Sequence, residues 1–167
     1  MRIVVNDTNV LIDLAQVNLL DQFVKLNFDI RTTDLVINEI TDPEQKAVID
    51  ILISHEYMVV ASFDASELTE ISAKRVAING LSMADTSAWY YAKKEKALLF
   101  TGDGLLRKTA QQDRVEVRGI LFILECMIEE NIISPRTAAD KLTDIINNGA
   151  WLPVGACNER INRWRAL

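Results

Sequence analysis

The sequence predicts an α/β fold: a three-layer α/β/α sandwich with a central parallel sheet, followed by a helical C-terminal tail. Three observations carry that prediction. Short apolar runs of strand type (Ile3 to Val5, Phe28 to Thr32, Tyr57 to Val60, Ala97 to Thr101) alternate with stretches whose apolar residues recur at helical spacing. Strands separated by helices pair in parallel, because the crossover brings each strand back in the same direction. After Gly119 the strand signals stop and only helical spacing remains. The organisation read from this is a sandwich domain over residues 1–118 and a helical extension over 119–167, packed on or beside it. At 167 residues the chain is one ordinary domain with a small appendage. A chain of this length buries about two thirds of its unfolded surface and needs no disulfide or structural zinc to fold.

The elements follow in order. Ile3-Val4-Val5 stops at Asn6-Asp7, and Val10, Leu11, Leu14, Val17 and Leu20 then mark a first helix, with a second apolar stretch from Leu19 to Leu26. Phe28 to Thr32 alternates as a second strand, and Asp34 has the chemistry of an N-cap for a short helix from Leu35 to Ile40. Asp42-Pro43 interrupts, and Pro43 opens the next helix, to about Ser54, because proline suits a first helical turn. Tyr57 to Val60 is the third strand, and Ala65 to Asn79 a helix ended by Gly80. Ser82 caps a helix through about Lys96, with Asp85 at the capping-box position. Ala97 to Thr101 is the strongest strand, stopped by Gly102-Asp103-Gly104; a helix from Leu105 to Gln112 and a short strand, Val115 to Val117, come next. In the tail, Ile120, Ile123, Leu124, Met127 and Ile128 form one apolar stripe, and Ser134-Pro135 starts a helix closed by Gly149. Trp151 to Val154 reads as extended, and Asn158 to Trp164 as a last helical turn or two.

Composition removes several function classes. Hydrophobic residues make up 49% and charged residues 25%, the balance of a soluble globular protein. The opening apolar run is too brief for a signal peptide, and no run approaches the ~20 residues of a membrane span. Cys126 and Cys157 fit no paired metal spacing and read as core thiols of a cytoplasmic protein. The single histidine, His55, lies in a polar stretch at a helix end, so histidine-based triads and zinc sites are excluded. Any enzymatic chemistry therefore rests on carboxylates.

The net charge is −6, unevenly spread: residues 1–56 hold ten acids against four bases, whereas residues 93–118 hold seven bases against four acids. Such a balance argues against coating nucleic acid through bulk charge, but it allows a basic rim beside an acidic pocket. Lys93, Arg107 and Lys108 are the candidates for that rim. Gly102 to Thr109 superficially resembles a phosphate-binding loop, yet Arg107 stands where the motif requires glycine, so nucleotide binding of that kind is rejected.

In an open parallel sheet, ligands bind beyond the carboxyl ends of the strands. Asp7 follows the first strand and Asp103 follows the strand Ala97 to Thr101; Glu39 and Asp85 lie in the first turns of helices. All four can face one crevice. Ionised carboxylates crowded together either take up protons or recruit a cation, and an oxygen-only donor set favours Mg²⁺ or Mn²⁺. Trp89, Tyr90 and Tyr91 lie near this site, where rings can stack bases, although aromatics on such a helix are usually core.

Four segments carry a family resemblance. Asp7-Thr8-Asn9-x-Leu11 resembles the opening motif of the PIN-domain nucleases, which include the VapC toxins. Val36 to Ile40, with Glu39 as its acid, resembles the second motif; Met83-Ala84-Asp85-Thr86 resembles the third, and Leu99 to Asp103 the fourth. The match covers about residues 1–120, and the tail is loosely similar to the helical extension of a PIN subgroup. The resemblance implies a metal-dependent ribonuclease, using Mg²⁺ or Mn²⁺ held by Asp7, Glu39, Asp85 and Asp103. Thr8 and Asn9 would orient Asp7, and Thr101 would support the site. It further implies an RNA substrate, pairing into a homodimer and a small antitoxin as partner, with no membrane association. Two other classes compete: a non-catalytic binding module that keeps the fold, and a magnesium phosphatase. The second is disfavoured because Asp7-Thr8-Asn9 lacks the second aspartate of the usual phosphatase pair.

Overall fold

A computed structural model describes residues 1–167 and contains a five-stranded, wholly parallel sheet in the order β3-β2-β1-β4-β5. The strands are β1 (Arg2–Asn6), β2 (Phe28–Thr33), β3 (Val59–Ala61), β4 (Leu98–Phe100) and β5 (Val117–Arg118). Val4, Val5, Leu98, Leu99 and Phe100 have no exposed surface. A strand covered on both faces has no need of a polar side, which is why these segments read as continuous apolar runs. Phe100 sits at the centre, its ring 5.8 Å from that of Phe28, 6.1 Å from Phe122 and 6.2 Å from Phe23.

Strand order positions the site. From β1 the chain builds outward through β2 to β3, and then returns to the other side of β1 to build β4 and β5. The reversal falls between β1 and β4, where connections leave in opposite directions and open a crevice above the strand ends.

The connecting helices are α1 (Thr8–Gln16), α2 (Leu20–Phe23), α3 (Asp34–Glu39), α4 (Pro43–Ser54), α5 (Ala65–Ala77), α6 (Met83–Glu95) and α7 (Gly104–Gln112). Several expected boundaries shift for local reasons. Thr33, not Asp34, caps α3, its hydroxyl accepting from the Val36 N–H. The third strand begins at Val59 because α4 ends in a left-handed turn at Glu56 (φ 61°), which carries Tyr57 out of the sheet. In the same way Arg114 (φ 62°) delays β5 to Val117. Ser82 and Asp85 do form the reciprocal capping box of α6. Trp89 and Tyr91 are core residues, with the indole N–H donating to Asp113.

After β5 come α8 (Ile120–Glu129), α9 (Pro135–Asn147) and α10 (Val154–Arg165). The last helix is longer than its sequence predicts and starts directly after Pro153. Met127, Leu142, Cys157 and Trp164 share one contiguous apolar cluster with Val5 and Phe100. Polar ties hold the helices as well: Lys141 donates to the Val17 carbonyl at the end of α1, and Glu125 of α8 pairs with Arg160 (2.8 Å) and Arg163 (3.2 Å) of α10. Glu125 thus ties α8 to α10 through two arginines. No helix is long and apolar enough to cross a membrane.

Candidate active site

Asp7 lies at the reversal point of the sheet, completely buried. Its main-chain N–H donates to the Phe100 carbonyl at 3.0 Å, which continues the β1–β4 ladder by one residue and fixes the side chain over the crevice. Both carboxylate oxygens are held. Oδ1 accepts from the Thr8 N–H at 2.7 Å, making Asp7 the N-cap of α1, and Oδ2 accepts from the Thr101 hydroxyl at 2.8 Å.

Two threonines extend the arrangement to two further acids. The Thr8 hydroxyl donates to Glu39 Oε2 at 2.9 Å, and the Thr101 hydroxyl accepts from the Asp103 N–H at 3.0 Å. Glu39, Thr8, Asp7, Thr101 and Asp103 therefore form one hydrogen-bonded line across the ends of α3, β1 and β4. Glu39 is the last residue of its six-residue helix and is exposed, a position later in the helix than its sequence implies. Asp103 caps α7 through Oδ1, which accepts from the Leu106 N–H at 2.7 Å. Asp85 accepts from the Ser82 N–H through Oδ2.

Electrostatics ties Asp85 into the group. Burial pushes the Asp7 carboxyl from its ordinary 3.8 up to about 7, the Asp85 carboxylate adds to the rise, and Asp103 adds a smaller amount. The hydrogen bonds from Thr101 and Thr8 oppose the rise without cancelling it. A buried acid facing two others is a place where a cation gains and a lone proton substitutes. The donors are all oxygens, which suits Mg²⁺ or Mn²⁺ in kind. As the side chains are placed, no three of them stand close enough together to ligate one ion.

The supporting residues divide. Thr8 and Thr101 touch Asp7, whereas Asn9 is exposed and lines the neighbouring cleft, so Asp7 is oriented by threonines and not by Asn9. The basic residues do not gather as one rim. Lys93 is eight residues beyond Asp85, roughly 12 Å along the helix, and is paired with Asp113 at 3.3 Å. Lys108 is exposed on α7. Arg107 lies in the wall of the cleft, its guanidinium donating to the Thr101 carbonyl at 3.2 Å. Burial and the neighbouring Arg118 lower its pKa, and no carboxylate offsets them.

That cleft, about 950 Å³, adjoins the acids and runs between α1, the β4–α7 loop and residues 149–153. Two of its lining residues read in the sequence as structural only. Asp13 is one; burial alone raises its carboxyl to about 6. Its signal was the four-residue spacing from Asn9, which puts both on one face of α1. Trp151 is the other, bracketed by Gly149 and Pro153.

Comparison with known proteins agrees with this architecture. A family model described as a PIN domain (DUF3368) matches residues 3–166. Among solved structures, VapBC-1 from nontypeable Haemophilus influenzae is 14% identical with a TM-score of 0.50, the match covering 70% of this chain and 97% of that one. A PilT N-terminus domain protein from the archaeon Sulfolobus solfataricus is 16% identical with a TM-score of 0.49, covering 76% of this chain and 94% of that one. VapBC2 from Rickettsia felis, solved bound to a DNA fragment from its promoter, is 18% identical with a TM-score of 0.49, covering 70% and 98%. No curated protein matches the chain. PIN domains are generally nucleases. The family match spans nearly every residue: this chain belongs to the PIN-domain family.

Proposed function

We propose that the protein is a metal-dependent endoribonuclease that hydrolyses RNA phosphodiester bonds. The observation that carries the reading is Asp7, a buried carboxylate at the strand-order reversal, raised to about 7 in part by the facing Asp85 and Asp103. Asp7, Glu39, Asp85 and Asp103 would hold Mg²⁺ or Mn²⁺. When bound, such an ion supplies positive charge that lets the acids stay ionised together and that offsets charge developing on a phosphodiester.

The chain's own groups do the positioning. Thr8 and Thr101 fix both oxygens of Asp7, so its carboxylate needs no reorganisation when substrate arrives. Asp85 and Asp103 each spend one oxygen on a helix cap, which orients the other. Nothing lies within 4 Å of a Cβ built on Gly102 or Gly104, so a phosphate can approach the main chain there. Arg107, in the cleft wall with Asp103, supplies a cation beside the acids, and Lys108, exposed on the same helix, would meet the RNA farther out. Lys93 is tied to Asp113 and is assigned no contact with RNA.

Pairing is part of the reading. Val48 and Ile51 of α4, with Tyr57 and Val59 at the β3 edge, leave apolar surface exposed. A homodimer, or an antitoxin whose segment covers this surface, would bury it. On this reading the protein is a cytoplasmic toxin-type ribonuclease. A non-catalytic binding module is the second reading, favoured by the separation of the acids beyond ligand distance.

RNA cleavage in Mg²⁺ or Mn²⁺ separates the two. The native protein is expected to cut single-stranded RNA and to lose that activity in EDTA and in Asp7→Asn. An Asp7→Asn protein that cuts as fast as the native one removes the nuclease reading.

A further inference from the structure

The cleft beside the acids is completed by the linker between α9 and α10. Gly149 adopts φ +93°, a left-handed turn that reverses the chain after α9, and Pro153 caps the start of α10. Between these stops, Ala150 and Leu152 pack against the apolar core. Trp151, between them, stands at the edge of the cleft and is 94% exposed. The other two tryptophans, Trp89 and Trp164, are 6% and 3% exposed. A tryptophan held outward by two anchored neighbours leaves a large, rigid aromatic ring in water, with both faces free to stack on a flat ligand.

The same cleft carries two polar groups without counter-ions. Asp13, whose carboxyl burial raises to about 6, faces it from α1. Arg107 faces it from α7, bound only to main-chain carbonyls. Its hydrogen bonds to the Thr101 and Val117 carbonyls hold the guanidinium, and Gly119 leaves room for it, since a Cβ there would lie 3.1 Å from Nη2. An aromatic face at the edge of the cleft, with a hydrogen-bond acceptor and a cation in its walls, matches the parts of a nucleotide: base, sugar or base edge, and phosphate.

We propose that this cleft binds one nucleotide of a single-stranded RNA next to the cleavage site, with its base stacked on Trp151 and its phosphate against Arg107. The inference rests on the nuclease reading for the nature of the ligand. It assigns residues 149–153 to substrate binding, with Trp151 as a positioning residue.

The test uses the full chain carrying Asp7→Asn, so that a short oligouridylate is not cut. Trp151 is the one exposed tryptophan, so its emission should change on titration and be shielded from acrylamide. An abasic oligomer of equal length should produce neither effect. Trp151→Ala should weaken oligouridylate binding, followed by anisotropy, roughly 5- to 150-fold, the range of base–aromatic stacking. Trp151→Phe should restore most of it. In the otherwise native enzyme, Trp151→Ala should raise KM more than it lowers kcat. Unchanged affinity in Trp151→Ala, or equal shielding by the abasic oligomer, overturns the proposal. So does shielding by an arginine-rich peptide but not by the oligonucleotide, which would give the cleft to a protein partner. The two readings fail separately. RNA cut with an unaltered KM by Trp151→Ala leaves the nuclease and removes the subsite. Oligonucleotide bound through Trp151 but never cut by the native protein leaves the subsite and removes the nuclease.

Discussion

Asp7→Asn should stabilise the cation-free protein, against the usual result of altering a buried polar residue. In the folded chain the carboxyl is raised from 3.8 to about 7 by burial and by Asp85 and Asp103. A raised folded pKa contributes stability that is complete below the unfolded value and lost as pH rises through the folded one. The native protein should therefore lose stability between about pH 4 and pH 7, and the loss should level off above that. The difference between 3.8 and about 7 corresponds to roughly 4 kcal/mol at 1.36 kcal/mol per unit. Asparagine keeps the geometry: its oxygen can accept from the Thr8 N–H, and its amide can donate to the Thr101 hydroxyl. It is also a good N-cap for α1. Thermal unfolding in EDTA across pH 4 to 8 should show no gain for the variant at the acid end. Near pH 8 the gain should be on the order of 10 °C. Added Mn²⁺ should narrow the gap by stabilising the native protein more than the variant. A variant that melts below the native chain at pH 8, or whose difference is independent of pH, refutes the electrostatic reasoning.

Three further outcomes follow from the packing. Thr101→Val removes the hydroxyl that serves both Asp7 and the Asp103 N–H, and should cost about 1–3 kcal/mol in chemical denaturation. Phe100→Ala empties the space between Phe23, Phe28 and Phe122 and should cost about 3–5 kcal/mol by the same measurement. Glu125→Ala removes the anion shared by Arg160 and Arg163; it should cost about 1 kcal/mol or less, with faster amide exchange in α10 and little change elsewhere.

Much of the fold was legible because the central strands are buried on both faces, so Ile3 to Val5 and Ala97 to Thr101 announce themselves as unbroken apolar runs. The edges were less legible. Val59 and Val117 begin strands only after the left-handed turns at Glu56 and Arg114, and nothing in residues of those types demands such a turn. At the site, the positions of Asp7 and Asp103 followed from where their strands stop. Thr8's bridge to Glu39 did not, because it depends on how α3 docks over β1, a tertiary relation that spacing does not encode. Lys93 misled for the opposite reason: its charge was visible, but its partner Asp113 lies on the far side of β4 in sequence. Trp151 reads only as part of an extended segment because an exposed aromatic and a core aromatic look alike until burial is known.

The central claim is that Asp7, Glu39, Asp85 and Asp103 act as one divalent-cation site. Calorimetric titration of Mn²⁺ into the native protein and the single variants Asp7→Asn, Glu39→Gln, Asp85→Asn and Asp103→Asn tests it directly. The account predicts saturable binding to the native chain, weakened in all four variants and most in Asp7→Asn, where the buried carboxylate is lost. Native protein that takes up no Mn²⁺, or variants that bind it as tightly as the native chain, would contradict it.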